Sequence, residues 1–194
     1  MLSWRRHVCQ SISAGLLWLG AGQALAHPHI WIDSYYQVNL TTPAIQTVDA
    51  YWTFDVFSSL DMLMEFDKNA DGQLLGAEKA DAAKAMTNLA QYQYFLRLQV
   101  DGREIQPIDV QVVDVGVVDQ AMTVRLGIVL PETVDLQQST LRMGFGDREN
   151  YFALVIPDEG LIKLTGLMAE TCTPAEQEAD EFYMEGWVDL HCDT

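Results

Sequence analysis

Ile30-Trp31-Ile32-Asp33-Ser34-Tyr35-Tyr36-Gln37-Val38-Asn39-Leu40, then Thr41-Thr42-Pro43, then Ala44-Ile45-Gln46-Thr47-Val48-Asp49-Ala50-Tyr51-Trp52-Thr53-Phe54, is the stretch whose reading decides the fold. Aromatic and β-branched residues alternate with polar ones from Ile30 to Leu40 and again from Ile45 to Phe54. A period of two sends successive side chains to opposite faces, so the pattern predicts two half-buried strands closing a long antiparallel hairpin.

The same rhythm continues downstream. Phe95 to Val100 and Ile105 to Val113 flank Asp101-Gly102, a strong signal for a tight hairpin turn. Short strands are expected over Met122 to Leu130, Ser139 to Phe145, Tyr151 to Ile156 and Leu161 to Leu167. Pro131, Gly146-Asp147 and Pro157-Asp158-Glu159-Gly160 break them. Phe182 to Val188 reads as a last strand, and acidic Thr173 to Glu181 as a solvated turn or short helix. The expected fold is mainly β with a helical insertion, an antiparallel β-sandwich of about eight strands carrying one EF-hand-like helix-loop-helix at about residues 57–91.

That insertion rests on Asp67-Lys-Asn69-Ala-Asp71-Gly72-Gln73-Leu74-Leu75-Gly-Ala-Glu78. Oxygen-bearing residues stand at loop positions 1, 3, 5 and 12 with glycine at position 6, the pattern of a calcium loop. A hard cation needs six to eight oxygens, and Gly72 permits the sharp turn that wraps a short chain around it. Asp67, Asn69 and Asp71 would supply side-chain oxygens, Gln73 its carbonyl and Glu78 both carboxylate oxygens; water would serve position 9, where Leu75 has none to offer. Phe57, Leu60, Leu63 and Met64 recur at helical spacing before the loop, and Ala77 to Leu89 is rich in helix formers after it. Leu74, at position 8, would normally pack against a second hand, but the chain has no second copy. Three carboxylates in a solitary loop imply weak affinity, on the order of 10⁻⁴ to 10⁻³ M.

Arg5-Arg6, the apolar run through Leu16-Leu17-Trp18-Leu19, and Ala24-Leu25-Ala26 have the three-part layout of a secretory signal over residues 1–26. Residues 27–194 then form a single β-rich domain, expected in the periplasm. The signal holds two of the 11 basic and none of the 28 acidic residues, so the remaining 168 residues carry a net charge of −19. Such a charge excludes a nucleic-acid binder and favours cations. Cys9 leaves with the signal. Cys172 and Cys192 remain and are expected to form one disulfide in an oxidising compartment; a thiolate metal site with His191 is the alternative.

Cleavage after Ala26 exposes His27-Pro28-His29. Two imidazoles and a free amine suit zinc, copper, nickel or cobalt rather than calcium, which makes His27 and His29 candidate ligands of a second, transition-metal site. His191, Asp119, Asp147 and Glu149 are candidates for a further ligand. No Gly-x-Ser-x-Gly, His-Glu-x-x-His or free catalytic cysteine is present, so no enzyme is expected.

The His27-Pro28-His29-Ile30-Trp31 start, the Asp67, Asn69, Asp71 and Gly72 loop, Tyr94-Phe95 and Val100-Asp101-Gly102-Arg103 together resemble the family called domain of unknown function 1007. The resemblance covers nearly all of residues 27–194. It implies a periplasmic component associated with an ABC-type transport system, often encoded beside a nickel/cobalt-efflux-type permease of the inner membrane. The expected function is therefore a metal-binding accessory protein of a transition-metal transport system, with a structural Ca²⁺ loop. The alternative is a calcium-stabilised scaffold or interaction protein with no transition-metal role.

Overall fold

The computed structural model describes residues 30–179 and 181–193. The segment expected to be a signal, Cys9, His27 and His29 lie outside them. The hairpin expected at the start is β1 (Ile30–Asn39) and β2 (Ala44–Phe54), paired antiparallel from Ile32 opposite Phe54 to Gln37 opposite Asp49. Their alternation becomes burial: Ile32, Ser34, Tyr36 and Val38 point inward from β1, and Val48, Ala50, Trp52 and Phe54 from β2. Trp31, Asp33 and Tyr35 occupy the outer face. There Tyr35 stacks on Tyr51 with centroids 5.1 Å apart, under the Lys163 ammonium.

The described residues are mainly β, in two sheets with two α-helices. After the helices come β3 (Leu96–Val100), β4 (Arg103–Ile105), β5 (Asp109–Val118), β6 (Ala121–Asp135), β7 (Leu141–Phe145), β8 (Phe152–Val155), β9 (Ile162–Thr165), β10 (Cys172–Glu178) and β11 (Gly186–Cys192). One sheet runs β5-β6-β2-β1-β8, with β9 also on β1; the other runs β10-β11-β7-β3-β4. They meet across one core. The buried Tyr36 of β1 stacks on Phe145 of β7 at 4.2 Å, and its hydroxyl donates to the Gly144 carbonyl at 2.8 Å. Burial holds that hydroxyl in its neutral form, its pKa well above the usual value.

Several strand expectations are corrected. Ile105 to Val113 is not one strand: Gln106-Pro107-Ile108 carries the chain from β4 in one sheet to β5 in the other. Proline has no N–H to give a ladder, so the crossing falls where pairing would fail. Pro131 does not end β6, because it sits where the β2 ladder skips from Ile45 to Thr47 and beyond the last residue that β5 pairs. Both short strands on the far edge of β1 are parallel to it, Phe152–Val155 along Ile30–Asp33 and Ile162–Thr165 along Tyr36–Asn39. Only a tight hairpin dictates antiparallel pairing, and β8 arrives from β7 in the opposite sheet.

Thr173 to Glu181 is mostly strand rather than turn or helix. Past Cys172, β10 is exposed throughout and therefore shows no alternation; its ladder to β11 specifies it. Cys172 and Cys192 face each other in that ladder and form the expected disulfide.

Candidate functional site

The helical insertion is joined to the strands through Asp55. Its carboxylate caps α1 (Val56–Phe66) by accepting the N–H groups of Phe57 at 2.9 Å and Ser58 at 3.0 Å and the Ser58 hydroxyl at 2.6 Å, and it also accepts the Trp31 amide of β1 at 3.1 Å. Partial burial pushes its pKa up, but the bonds from Ser58, Trp31 and Phe57 outweigh that and leave it below the ordinary aspartate value. The sequence signal for this cap was an aspartate immediately before an apolar helical run.

α1 turns an unexpected face inward. The buried Ser59 hydroxyl donates to the Phe54 carbonyl at 3.2 Å and accepts the Met122 amide at 2.8 Å, fastening the helix to β2 and β6. Met62, Leu63 and Phe66 pack partly against the core. Phe57, Leu60 and Met64, whose spacing announced the helix, face solvent; Phe57 is 83% and Met64 77% exposed. Helical period identifies a helix, but packing chooses which stripe is covered.

Between α1 and α2 (Ala77–Met86) lies the Asx-rich loop. Asp67 Oδ2 accepts the Gly72 N–H at 2.8 Å, Asn69 Oδ1 the Asp71 N–H at 2.8 Å, and Asp71 Oδ1 the Gln73 N–H at 2.9 Å. Ala70 and Gly72 have positive φ, 58° and 77°, alternating with the oxygen-bearing residues and curling the chain so that their side chains turn inward. From the start of α2, Glu78 reaches back across the loop and accepts the Lys68 amide at 2.9 Å. Asp67, Asn69, Asp71, Gln73 and Glu78 thus belong to one curled loop. As the side chains stand, no group of three or more His, Cys, Asp or Glu among the described residues is disposed to hold a metal ion. The loop's carboxylates are engaged with its own amides, and the pattern also draws on Asn69 and the Gln73 carbonyl.

Two contacts anchor the loop to the domain. Leu74 is 2% exposed and joins the main core, so position 8 packs on the sheet instead of on a second hand. Lys79 of α2 pairs with Asp114 of β5 at 2.5 Å.

The further-ligand candidates are scattered. Asp147 is buried and committed, accepting the amides of Glu149, Tyr151 and Phe152 at 2.9 to 3.0 Å. With Glu149 it precedes β8, whose Phe152 pairs with Ile30 at the entry of β1. His191 is on β11 in the other sheet, and Asp119 in the β5–β6 turn.

These elements define a mainly β protein with a helical insertion that presents an exposed, acidic, Asx-rich loop. The chain belongs to the family described as "Protein of unknown function (DUF1007)", which matches residues 12–183. That description carries no enzymatic activity. No curated protein and no solved structure gives a significant match.

Proposed function

We propose that this protein is a periplasmic metal-binding accessory component of a transition-metal transport system, with a Ca²⁺-type ion clipping its helical insertion. The observation that carries the calcium part is the loop from Asp67 to Glu78, with side-chain oxygens turned inward at positions 1, 3 and 5, positive φ at positions 4 and 6, and the position-12 carboxylate folded back over them. Asp67, Asn69, Asp71, the Gln73 carbonyl and Glu78 would hold the ion. Its role is structural: it offsets two of the three carboxylate charges and fixes α1 against α2.

The transport part rests on the acidic charge, on the resemblance, and on His27 and His29, whose imidazoles suit Zn²⁺, Ni²⁺, Co²⁺ or Cu²⁺. The implied partner is an inner-membrane metal permease. A second reading is a calcium-stabilised scaffold with no transition-metal role, supported by the curled loop, which would need no second ion.

Thermal unfolding and metal titration separate the readings. With a dissociation constant on the order of 10⁻⁴ to 10⁻³ M, 10 mM Ca²⁺ should stabilise the protein by about 1.5 to 3 kcal/mol. That corresponds to a Tm rise of about 3–10 °C for a domain of this size. The double variant Asp67→Ala, Glu78→Ala should lose the rise; a wild-type protein indifferent to calcium refutes the loop assignment. Protein recovered after export should bind about one Ni²⁺, Co²⁺, Zn²⁺ or Cu²⁺ ion, and the double variant His27→Ala, His29→Ala should not. Calcium stabilisation without any histidine-dependent binding selects the scaffold.

A further inference from the structure

On the sheet opposite the helical insertion, the outer face carries two adjacent cross-strand rows. In one, Gln99 of β3, Arg142 of β7 and Asp189 of β11 stand side by side. Arg142 presents the Nε–Nη2 edge of its guanidinium to Asp189 as a two-pronged pair, Nε to Oδ1 at 2.5 Å and Nη2 to Oδ2 at 2.7 Å. In the next row Arg97 of β3 faces Gly144 of β7, with Trp187 beyond on β11. Arg97 is only 8% exposed, and its Nε has no hydrogen-bond partner. Its Nη1 is used by the Leu96 carbonyl at 2.9 Å, which leaves the edge that Arg142 commits to a carboxylate without one.

The space that Arg97 lines is built. The β10–β11 loop folds down onto β7, where a Cβ on Gly144 would lie 2.7 Å from Met184 Cε and one on Gly146 2.3 Å from Met184 Cγ. Glycine at both positions lets the loop lie close and roof a cavity of about 80 Å³. Arg97, Arg148, Tyr183 and Trp187 line it, with Glu104 and Glu181. The Tyr183 ring lies 6.0 Å from the Arg97 guanidinium carbon. Among the described residues neither Arg97 nor Arg148 makes an ion pair, although the chain is strongly acidic. Burial, and then the like charge of Arg148, push the Arg97 pKa down, against the opposing influence of Tyr183, Glu104 and Tyr36.

We propose that this cavity binds a small carboxylate, held by the Arg97 guanidinium and by Arg148 at the rim. A carboxylate fits a guanidinium edge in plane, as Asp189 does one row away. The cavity is small and Arg148 at its rim is exposed, which suits a ligand of acetate or glycine size. Glu104 and Glu181 disfavour a multiply charged oxyanion, and a ligand that also bears an ammonium gains from them. The site shares no residue with the calcium loop.

Purified protein labelled with ¹⁵N-arginine should be titrated with sodium acetate, glycine and sodium phosphate, with sodium chloride matching ionic strength. The Arg97 Nε–H resonance should shift saturably with acetate and glycine, and at least fivefold more weakly with phosphate. Arg148→Gln, at an exposed position, should weaken acetate binding about tenfold and keep the fold. Arg97→Met should abolish acetate-dependent stabilisation. An acetate response no larger than the chloride control, or one unchanged in Arg148→Gln, overturns the site; stronger binding of phosphate overturns the carboxylate assignment. Should Arg97→Met fail to fold, the Arg148→Gln titration alone decides.

Discussion

At the scale of single residues, two polar side chains couple the insertion to the strands. Replacing Ser59 by alanine removes the acceptor of the Met122 amide and leaves that N–H buried beneath α1. An orphaned buried donor costs about 1–3 kcal/mol, so urea unfolding of Ser59→Ala should show a loss of that size at unchanged m-value. Asp55→Ala should lose about 1 kcal/mol near neutral pH through the missing cap. The folded-state pKa of Asp55 is depressed, so its ionic contribution is complete above the unfolded value of about 3.9 and disappears as pH falls through the lower folded value. Stability curves of wild type and Asp55→Ala should therefore run parallel above about pH 5 and draw together as pH falls below the unfolded value of about 3.9 and through the lower folded one. A gap that persists into strong acid would assign the cap to something other than the carboxylate.

For the elements, the helices separate what a pattern announces from what packing selects. Phe57, Leu60 and Met64 are spaced for one helical face, and the helix forms, yet that face is solvated because Ser59 holds the opposite side on β2 and β6. Serine changes of Phe57 and Met64 should alter stability by no more than about 0.5 kcal/mol. Leu74, which reads as a residue seeking a second hand, is core. Leu74→Ala should cost about 2–5 kcal/mol and weaken calcium stabilisation, checked by unfolding with and without the ion. The loop itself was legible residue by residue, because its chemistry is local: Asx side chains bond amides two and five residues on, and glycine permits the turn. Strand β10 was not, because an exposed edge strand buries nothing that could print an alternation.

For the whole molecule, the edge strand β10 pairs among the described residues only with β11, and the Cys172–Cys192 bridge closes a loop of sequence separation 20 at their paired ends. A double serine variant should lose about 3 kcal/mol by the chain-entropy estimate. The accompanying fall in Tm should be about 6–12 °C. Amide exchange should rise first along Cys172–Glu178, and unchanged protection there would show that the ladder holds without the bridge. What the sequence by itself determined were the properties that depend on neighbours along the chain, the β1–β2 hairpin, the presence of two helices around an Asx loop and the mainly β class, together with the Cys172–Cys192 pairing, which followed from cysteine count. Tertiary structure alone decided which sheet each strand joins, the parallel course of β8 and β9, the buried side of α1, and the meeting of Arg97 with Arg148 beneath the β10–β11 loop. Local patterns arise from sterics and hydrogen bonds a few residues apart, whereas these outcomes depend on which surfaces exclude water together, and that is set only when distant segments meet.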